Sequence, residues 1–254
     1  MSHSTHDLIV QMGRDVDSVF GKGPNALVVL DEHGWIGLTG VPACADLNMA
    51  ALAKGASTDL VESYAGQIEE RELDAILVID DDASELKNAA EGRGLTQVGN
   101  VPVMVWENKP APIASARYKV RMAERQDQSL ANNLAARAFS LDEDKLAGAC
   151  PASVQDAVDI WLVEDGNETL GCGWFVRTGN HVGVYTMSTP AEHQRKGVGR
   201  AVLDAAMAHY LDHGATTFTL EATEAGFHLY EQIGFETVAT PAVYVVGVST
   251  QFPG

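Results

Sequence analysis

Residues 193–206, HQRKGVGRAVLDAA, set Arg195, Lys196 and Arg200 around two glycines at the head of an apolar, helix-favouring run. Gly197 and Gly199 allow backbone angles closed to other residues and let a ligand approach the main chain. The first N–H groups of a helix lack internal partners, and the helix dipole adds partial positive charge there. The chemistry this favours is the holding of an anion, a phosphate or pyrophosphate, largely by main chain. A phosphate-binding P-loop needs G-x-x-x-x-G-K-[ST], and no such run occurs. A dinucleotide fingerprint needs a third glycine or alanine, where Gly197-Val198-Gly199-Arg200-Ala201 runs on to Val202. Glu221 does stand where the ribose-binding acid of that fingerprint would fall, which keeps a nucleotide-dependent oxidoreductase as the lesser alternative. Against it, Thr189-Pro190 breaks the preceding strand well before Gly197, and no series of parallel βα units follows.

The elements that must position this loop are legible on both sides of it. YKVRM (118–122) alternates like a half-buried strand, and QSLANNLAARAF (128–139) has helical spacing at Leu130, Leu134 and Ala138. VDIWLVED (158–165) and TLGCGWFVR (169–177) are predicted strands about a turn at Asp165-Gly166-Asn167, and HVGVYTMST (181–189) is a third. The helix opened by the glycines closes near His213-Gly214. Strand TTFTLEAT (216–223), helix AGFHLYEQIG (225–234) and strand PAVYVVGV (241–248) complete the chain. Antiparallel hairpins followed by a helix-linked strand pair predict a mixed α/β sheet rather than a doubly wound one.

The totals exclude several classes. Against 35 Asp and Glu the 254 residues carry 17 Lys and Arg, a formal net charge of −18. Nucleic acid and anionic membranes are therefore not expected partners, whereas a cationic substrate such as an amine is compatible. Cys44, Cys150 and Cys172 are scattered, with no metal-ligand spacing, so no metal site is expected. No basic start with an apolar run opens the chain and no segment is long enough to span a bilayer, so a cytoplasmic setting is expected.

The proline-bearing stretch ENKPAPIASAR (107–117) marks a connector and predicts domains at 1–107 and 117–254 with a linker at 108–116. RGLTQVGNVPVMVW (93–106) and IGFETVATPAVYVV (233–246) align at a displacement of 140, matching Gly94, Val98, Val103 and Val105 to Gly234, Val238, Val243 and Val245. Each stretch follows a short helix and, before that, an apolar strand, AILVID (75–80) or TTFTLE (216–221). An internal duplication is predicted.

STPAEHQRKGVGRAVL resembles the acyl-CoA signature [QR]-x-x-G-x-[GA] of the GNAT N-acyltransferase superfamily, here Gln194-Arg195-Lys196-Gly197-Val198-Gly199. LYEQIGFE, with Tyr230, Gly234 and Phe235, resembles that family's second feature at the usual spacing, and the resemblance covers roughly 117–248. It implies two tandem GNAT-like domains, the second intact, and acetyl-CoA as the cofactor. The pyrophosphate is implied on the main-chain N–H groups of Arg195 to Arg200, including Val198, with Gln194 a further cofactor contact. The pantetheine is implied along Met187 and Thr189, and the acetyl carbonyl near a Met187 N–H. Tyr230 falls where similar enzymes hold the general acid. Glu221 is the chosen base, direct or through water, a role in binding the amine being equally open; Glu192 and His193 are expected to be solvated. Thr223 stands where many relatives carry asparagine, so it is either a cofactor contact or a helix cap. Trp174, Tyr185 and Phe227 are either acceptor-pocket lining or core. The function implied is acetyl transfer to a primary amine of a small molecule in a ternary complex, by a monomer or homodimer. The alternative is a CoA-binding sensor or scaffold without catalysis.

The first half lacks these features. Its counterpart of the glycine loop is LAKGASTDLV (52–61), with Lys54-Gly55 matched to Lys196-Gly197 and Ser57 to Gly199, and Ala90 stands opposite Tyr230. It is expected to be a degenerate, supporting copy.

Overall fold

A computed structural model of the protein describes residues 4–113 and 117–247. Part of the predicted linker, 114–116, and the last residue of the predicted final strand, 248, lie outside the described residues. In chain order the elements are α1 (Thr5–Phe20), β1 (Leu27–Asp31), β2 (Gly34–Leu38), β3 (Asn48–Leu52), α2 (Asp59–Glu70), β4 (Ala75–Ile79), α3 (Ser84–Gly92), β5 (Gln97–Asn100) and β6 (Val103–Glu107). There follow β7 (Lys119–Met122), α4 (Gln128–Phe139), α5 (Glu143–Ala149), β8 (Asp159–Asp165), β9 (Glu168–Thr178), β10 (His181–Ser188), α6 (Val198–Asp212), β11 (Thr217–Glu221), α7 (Glu224–Ile233), β12 (Glu236–Ala239) and β13 (Ala242–Val246). The strands form two mixed sheets, six strands in the order β1-β2-β3-β4-β13-β5 and seven in the order β12-β6-β11-β10-β9-β8-β7.

The sheet orders correct the predicted domain boundaries. One compact unit comprises residues 1–103 with 238–254, the other residues 104–237. β13 pairs antiparallel with β4 and with β5, burying Ala242, Tyr244 and Val246 in the first core. β6 lies between β12 and β11, and its Met104 and Trp106 belong to the second core. The division at 1–107 and 117–254 thus assigns two strands to the wrong sheets. Strand periodicity marks which face is buried but not which neighbour pairs along the edges. The stretch taken as linker also begins inside the second unit, where Lys109 Nζ donates to the Gly234 carbonyl at 2.5 Å and pairs with Glu236 at 2.6 Å.

The predicted duplication is visible in the turns. Gly94 (φ +91°) and Gly234 (φ +104°) end α3 and α7 in the left-handed region, where glycine carries no steric penalty. Leu95 N–H bonds the Ala90 carbonyl at 3.0 Å, and Phe235 N–H bonds that of Tyr230 at 3.0 Å. The loop match within the first half needs correcting. α2 opens at Asp59 and α6 at Val198, so by helix position Leu60, not Ser57, is the counterpart of Gly199.

In the second unit the core is built around Trp106, Phe175, Tyr210 and Phe218, with Trp106 edge-on to Phe218 at 5.6 Å. α6 is buried in this core through Val198, Ala201, Val202, Leu203, Ala206, Met207 and Tyr210, well over half of its circumference. Tyr210 Oη donates to Asp159 Oδ2 at 2.6 Å, which fixes the end of α6 to β8.

Candidate active site

β10 and β11 are parallel and joined by α6, so a site is expected outside their carboxyl ends. Their ladder runs only from His181–Thr217 through Val182–Phe218 to Gly183–Thr219. Beyond Gly183 the two strands are no longer paired. On its other side β10 stays on β9, but its register shifts between Tyr185 and Ser188. One extra residue is accommodated there, with Thr186 at φ +45°. Met187 follows directly in the bulge and packs, partly buried, against the core. The strand expected to carry an extended chain thus presents main-chain groups that β11 does not use.

The glycine loop follows. A short turn of helix, Ala191–His193, leads to Arg195 at φ +58° and Gly197 at φ +83°. Gly197 is the residue before α6, and a Cβ there would meet nothing within 4 Å, so its conformation rather than space calls for glycine. Gly199 answers to space: a Cβ would lie 3.3 Å from Leu229 Cδ2 of α7. Val198, Gly199 and Arg200 are the first residues of α6, and their N–H groups take no partner among the described residues. The Lys196 carbonyl is turned the other way, accepting from Tyr118 Oη at 2.8 Å and from Arg117 at 3.1 Å. Gln194 donates to the Thr189 carbonyl at 3.1 Å and ties the loop to the end of β10. Arg200 Nε pairs with buried Asp204 at 3.2 Å. Successive N–H groups left outward, with Arg195, Lys196 and Arg200 exposed around them, are a ready anion cradle.

Glu221 ends β11 and Tyr230 lies on α7. Burial pushes the Glu221 carboxyl up to about 7. Tyr230 is 6% exposed, its ring edge-on to Phe235 at 5.9 Å. Burial pushes its phenol up to about 12. Neither side chain has a hydrogen bond or ion pair with a described residue. Three other acids of this unit are engaged: Glu164 and Asp127 on Arg121, and Asp159 on Tyr210. Half-buried Glu221 and buried Tyr230, whose polar atoms bond no described residue, are candidates for chemistry. A Cβ on Gly226 would come within 2.8 Å of the Tyr230 ring, so that glycine makes the room Tyr230 occupies.

Thr223 caps α7: its hydroxyl accepts from Gly226 N–H at 3.3 Å. Trp174 is fully buried, while Phe227 packs partly buried on the core. His193, expected to be solvated, is 8% exposed with Nε2 3.5 Å from Glu168, because the turn at Ala191–His193 folds it beneath the loop. Glu192 is exposed as expected and pairs with Arg137. Sequence reasoning missed Tyr118, which pins Lys196 from 78 residues away, and Gly171, whose Cβ would lie 2.9 Å from Val198 and 3.3 Å from Thr189. No fixed spacing announces either contact.

Residues 156–237 match the model of the acetyltransferase (GNAT) domain family. The fold agrees over nearly the whole chain. A GCN5-related N-acetyltransferase from Kribbella flavida is 19% identical, covering 95% of this chain and 96% of that one, with a TM-score of 0.67. A tandem GNAT protein from the clavulanic acid biosynthesis pathway covers 96% and 97% at a TM-score of 0.62 and 11% identity. Mycothiol acetyltransferase of Propionibacterium freudenreichii subsp. shermanii is 38% identical over 64 residues. That match spans 24% of this chain and about a fifth of the relative, 20% of its length.

Proposed function

We propose that the protein is an acetyl-CoA-dependent N-acetyltransferase whose second unit acetylates a primary amine of a small molecule by direct attack in a ternary complex. The observation that carries this reading is the conjunction of an open anion cradle, a β10 edge that β11 leaves unpaired beyond Gly183, and a Glu221 carboxyl and Tyr230 hydroxyl that bond no described residue. The acetyltransferase names of the relatives support an acetyl rather than another acyl group. Three free thiols fit a reducing, cytoplasmic setting.

When bound, acetyl-CoA supplies a thioester carbonyl to be attacked and a thiolate to leave. The N–H groups of Val198, Gly199 and Arg200, with the loop before them, hold its pyrophosphate; Arg195, Lys196 and Arg200 add charge. The edge of β10 that β11 leaves unpaired would hold the pantetheine by strand-like hydrogen bonds, and the Met187 N–H would stabilise the carbonyl oxygen. Thr189 sits where this edge meets the loop. Glu221 Oε takes the proton that the incoming ammonium must lose, directly or through water, and a carboxyl near 7 is matched to that task at neutral pH. Tyr230 Oη, protonated well above neutral pH, gives the proton the thiolate needs. The net charge of −18 favours approach of a cationic amine.

The test is a screen of amines for thiol release from acetyl-CoA, followed by initial rates with both substrates varied. Intersecting double-reciprocal lines support a ternary complex. Parallel lines would replace it with a covalent acyl-enzyme, and CoA binding with no acceptor in a broad screen would replace it with a sensor.

A further inference from the structure

The two units repeat one plan, yet the first closes the strand edge and fills the loop that the second leaves open. We infer that the chain binds one acyl-CoA, on the second unit, because in the first unit the carboxylate of Asp80 occupies the corresponding loop as a built-in anion. This rests on the acyl-CoA reading of the second unit and extends it to the stoichiometry of the whole chain.

Three observations carry it. The β3–β4 ladder, counterpart of β10–β11, runs from Met49–Ile76 to Leu52–Ile79, the end of both strands. It is prolonged by Asp80 N–H on the Leu52 carbonyl at 3.0 Å. No splayed edge remains for an extended arm. The loop between strand and helix is also shorter, six residues (53–58) against nine (189–197). Second, the N–H groups of Lys54 and Ala56 in the loop and the first three N–H groups of α2 are spent internally. Asp80, 2% exposed, accepts from Lys54 N–H at 3.1 Å through one oxygen and from Asp82 N–H at 3.1 Å through the other. Ala56 N–H bonds the Ala53 carbonyl at 3.1 Å, Asp59 N–H the Ser57 hydroxyl at 3.2 Å, and Leu60 and Val61 N–H the carbonyls of Ser57 and Thr58. At the head of α6 the matching N–H groups have no partner among the described residues. Third, the His33 ring stands over the loop, 3.3 Å from where a Cβ on Gly55 would lie.

A phosphate approaching Lys54 and Gly55 therefore meets a buried carboxylate already bonded to the main chain, and like charge repels it. Gly55 keeps its left-handed conformation, φ +98°, so the loop retains the shape of an anion cradle with its own anion inside.

The experiment is calorimetric titration of the full chain with CoA, beside an Arg195→Glu/Lys196→Glu variant. Both side chains are exposed, and Arg200 keeps its pairing with buried Asp204, so the fold is kept while the second cradle turns acidic. One CoA per chain, lost in the variant, is the expected result. Two per chain, or binding that persists in the variant, overturns the proposal by showing that the first unit takes CoA. No binding in either protein overturns the acyl-CoA reading itself, and the single-site proposal with it.

Discussion

Replacing Tyr230 by Phe tests the assigned chemistry most directly, because the fold gives the hydroxyl nothing else to do. The ring contacts with Phe235 and the fit against Gly226 are kept, and no hydrogen bond to a described residue is lost. Stability is therefore expected to change by no more than about 0.5 kcal/mol, the range of a substitution that breaks no named interaction. The phenol lies at about 12, so at pH 7 to 9 it is almost wholly protonated and able to donate. General-acid assistance contributes roughly 10²–10⁴-fold, or about 2.7–5.5 kcal/mol of transition-state stabilisation. Tyr230→Phe is expected to lower kcat by that factor while the Kd for CoA, set at the cradle on α6, stays put. The assay is thiol release with a saturating acceptor, with a CoA titration in parallel. Turnover within about threefold of wild type, in a variant of unchanged melting temperature, would refute the assignment. Gly226→Ala sharpens the test: its Cβ would crowd the Tyr230 ring from 2.8 Å, so turnover should fall although the hydroxyl is still present.

Glu221 predicts a pH profile. Its carboxyl must be ionised to accept a proton, so kcat/KM should rise with pH through about 7, and Glu221→Gln should remove that limb. Stability runs the other way: between its ordinary value and about 7 the folded form holds a proton the unfolded chain has lost, so stability falls as pH rises. Glu221→Gln should consequently raise the melting temperature at pH 8 and leave it unchanged at pH 4. A chain cut to residues 117–254 should fail to give a cooperative thermal transition, since it lacks β6 between β12 and β11. Within the full chain, Trp106→Ala should cost about 3–5 kcal/mol in denaturant unfolding, the usual loss for a buried tryptophan. Gly197→Ala puts a Cβ at φ +83° and should raise the Kd for CoA with a strain of about 1–2 kcal/mol.

Much of the second unit was legible because its signals are local. The helix 128–139 follows from the spacing of its apolar residues, and α7 from Thr223 at one end and Gly234 at the other. The anion cradle was legible for the same reason, since its glycines and basic residues are contiguous. What escaped was what depends on partners distant in sequence. PAVYVV reads as a strand wherever it pairs, and the resemblance at a displacement of 140 makes β6 and β13 near equivalents, so nothing local says which sheet each joins. The bulge at Thr186 and the hydrogen bond from Tyr118 to Lys196 likewise arise only once distant segments meet. Asp80 looked like the polar end of a strand, and its bond to Lys54 requires the β3–β4 register to be known.

The exchanged strands also set a timetable for synthesis. β13, made near the end of the chain, fills the place between β4 and β5 in the first sheet. A ribosome adding about 5–20 residues per second has finished β5 roughly 7–30 seconds before β13 exists. Throughout that interval β4, the apolar run AILVI, has an open edge where its final neighbour belongs. Such an edge is a template for pairing with other chains. The nascent protein thus passes through a stage whose safety depends on crowding, chaperone supply and translation speed, though nothing in its finished form exposes that strand.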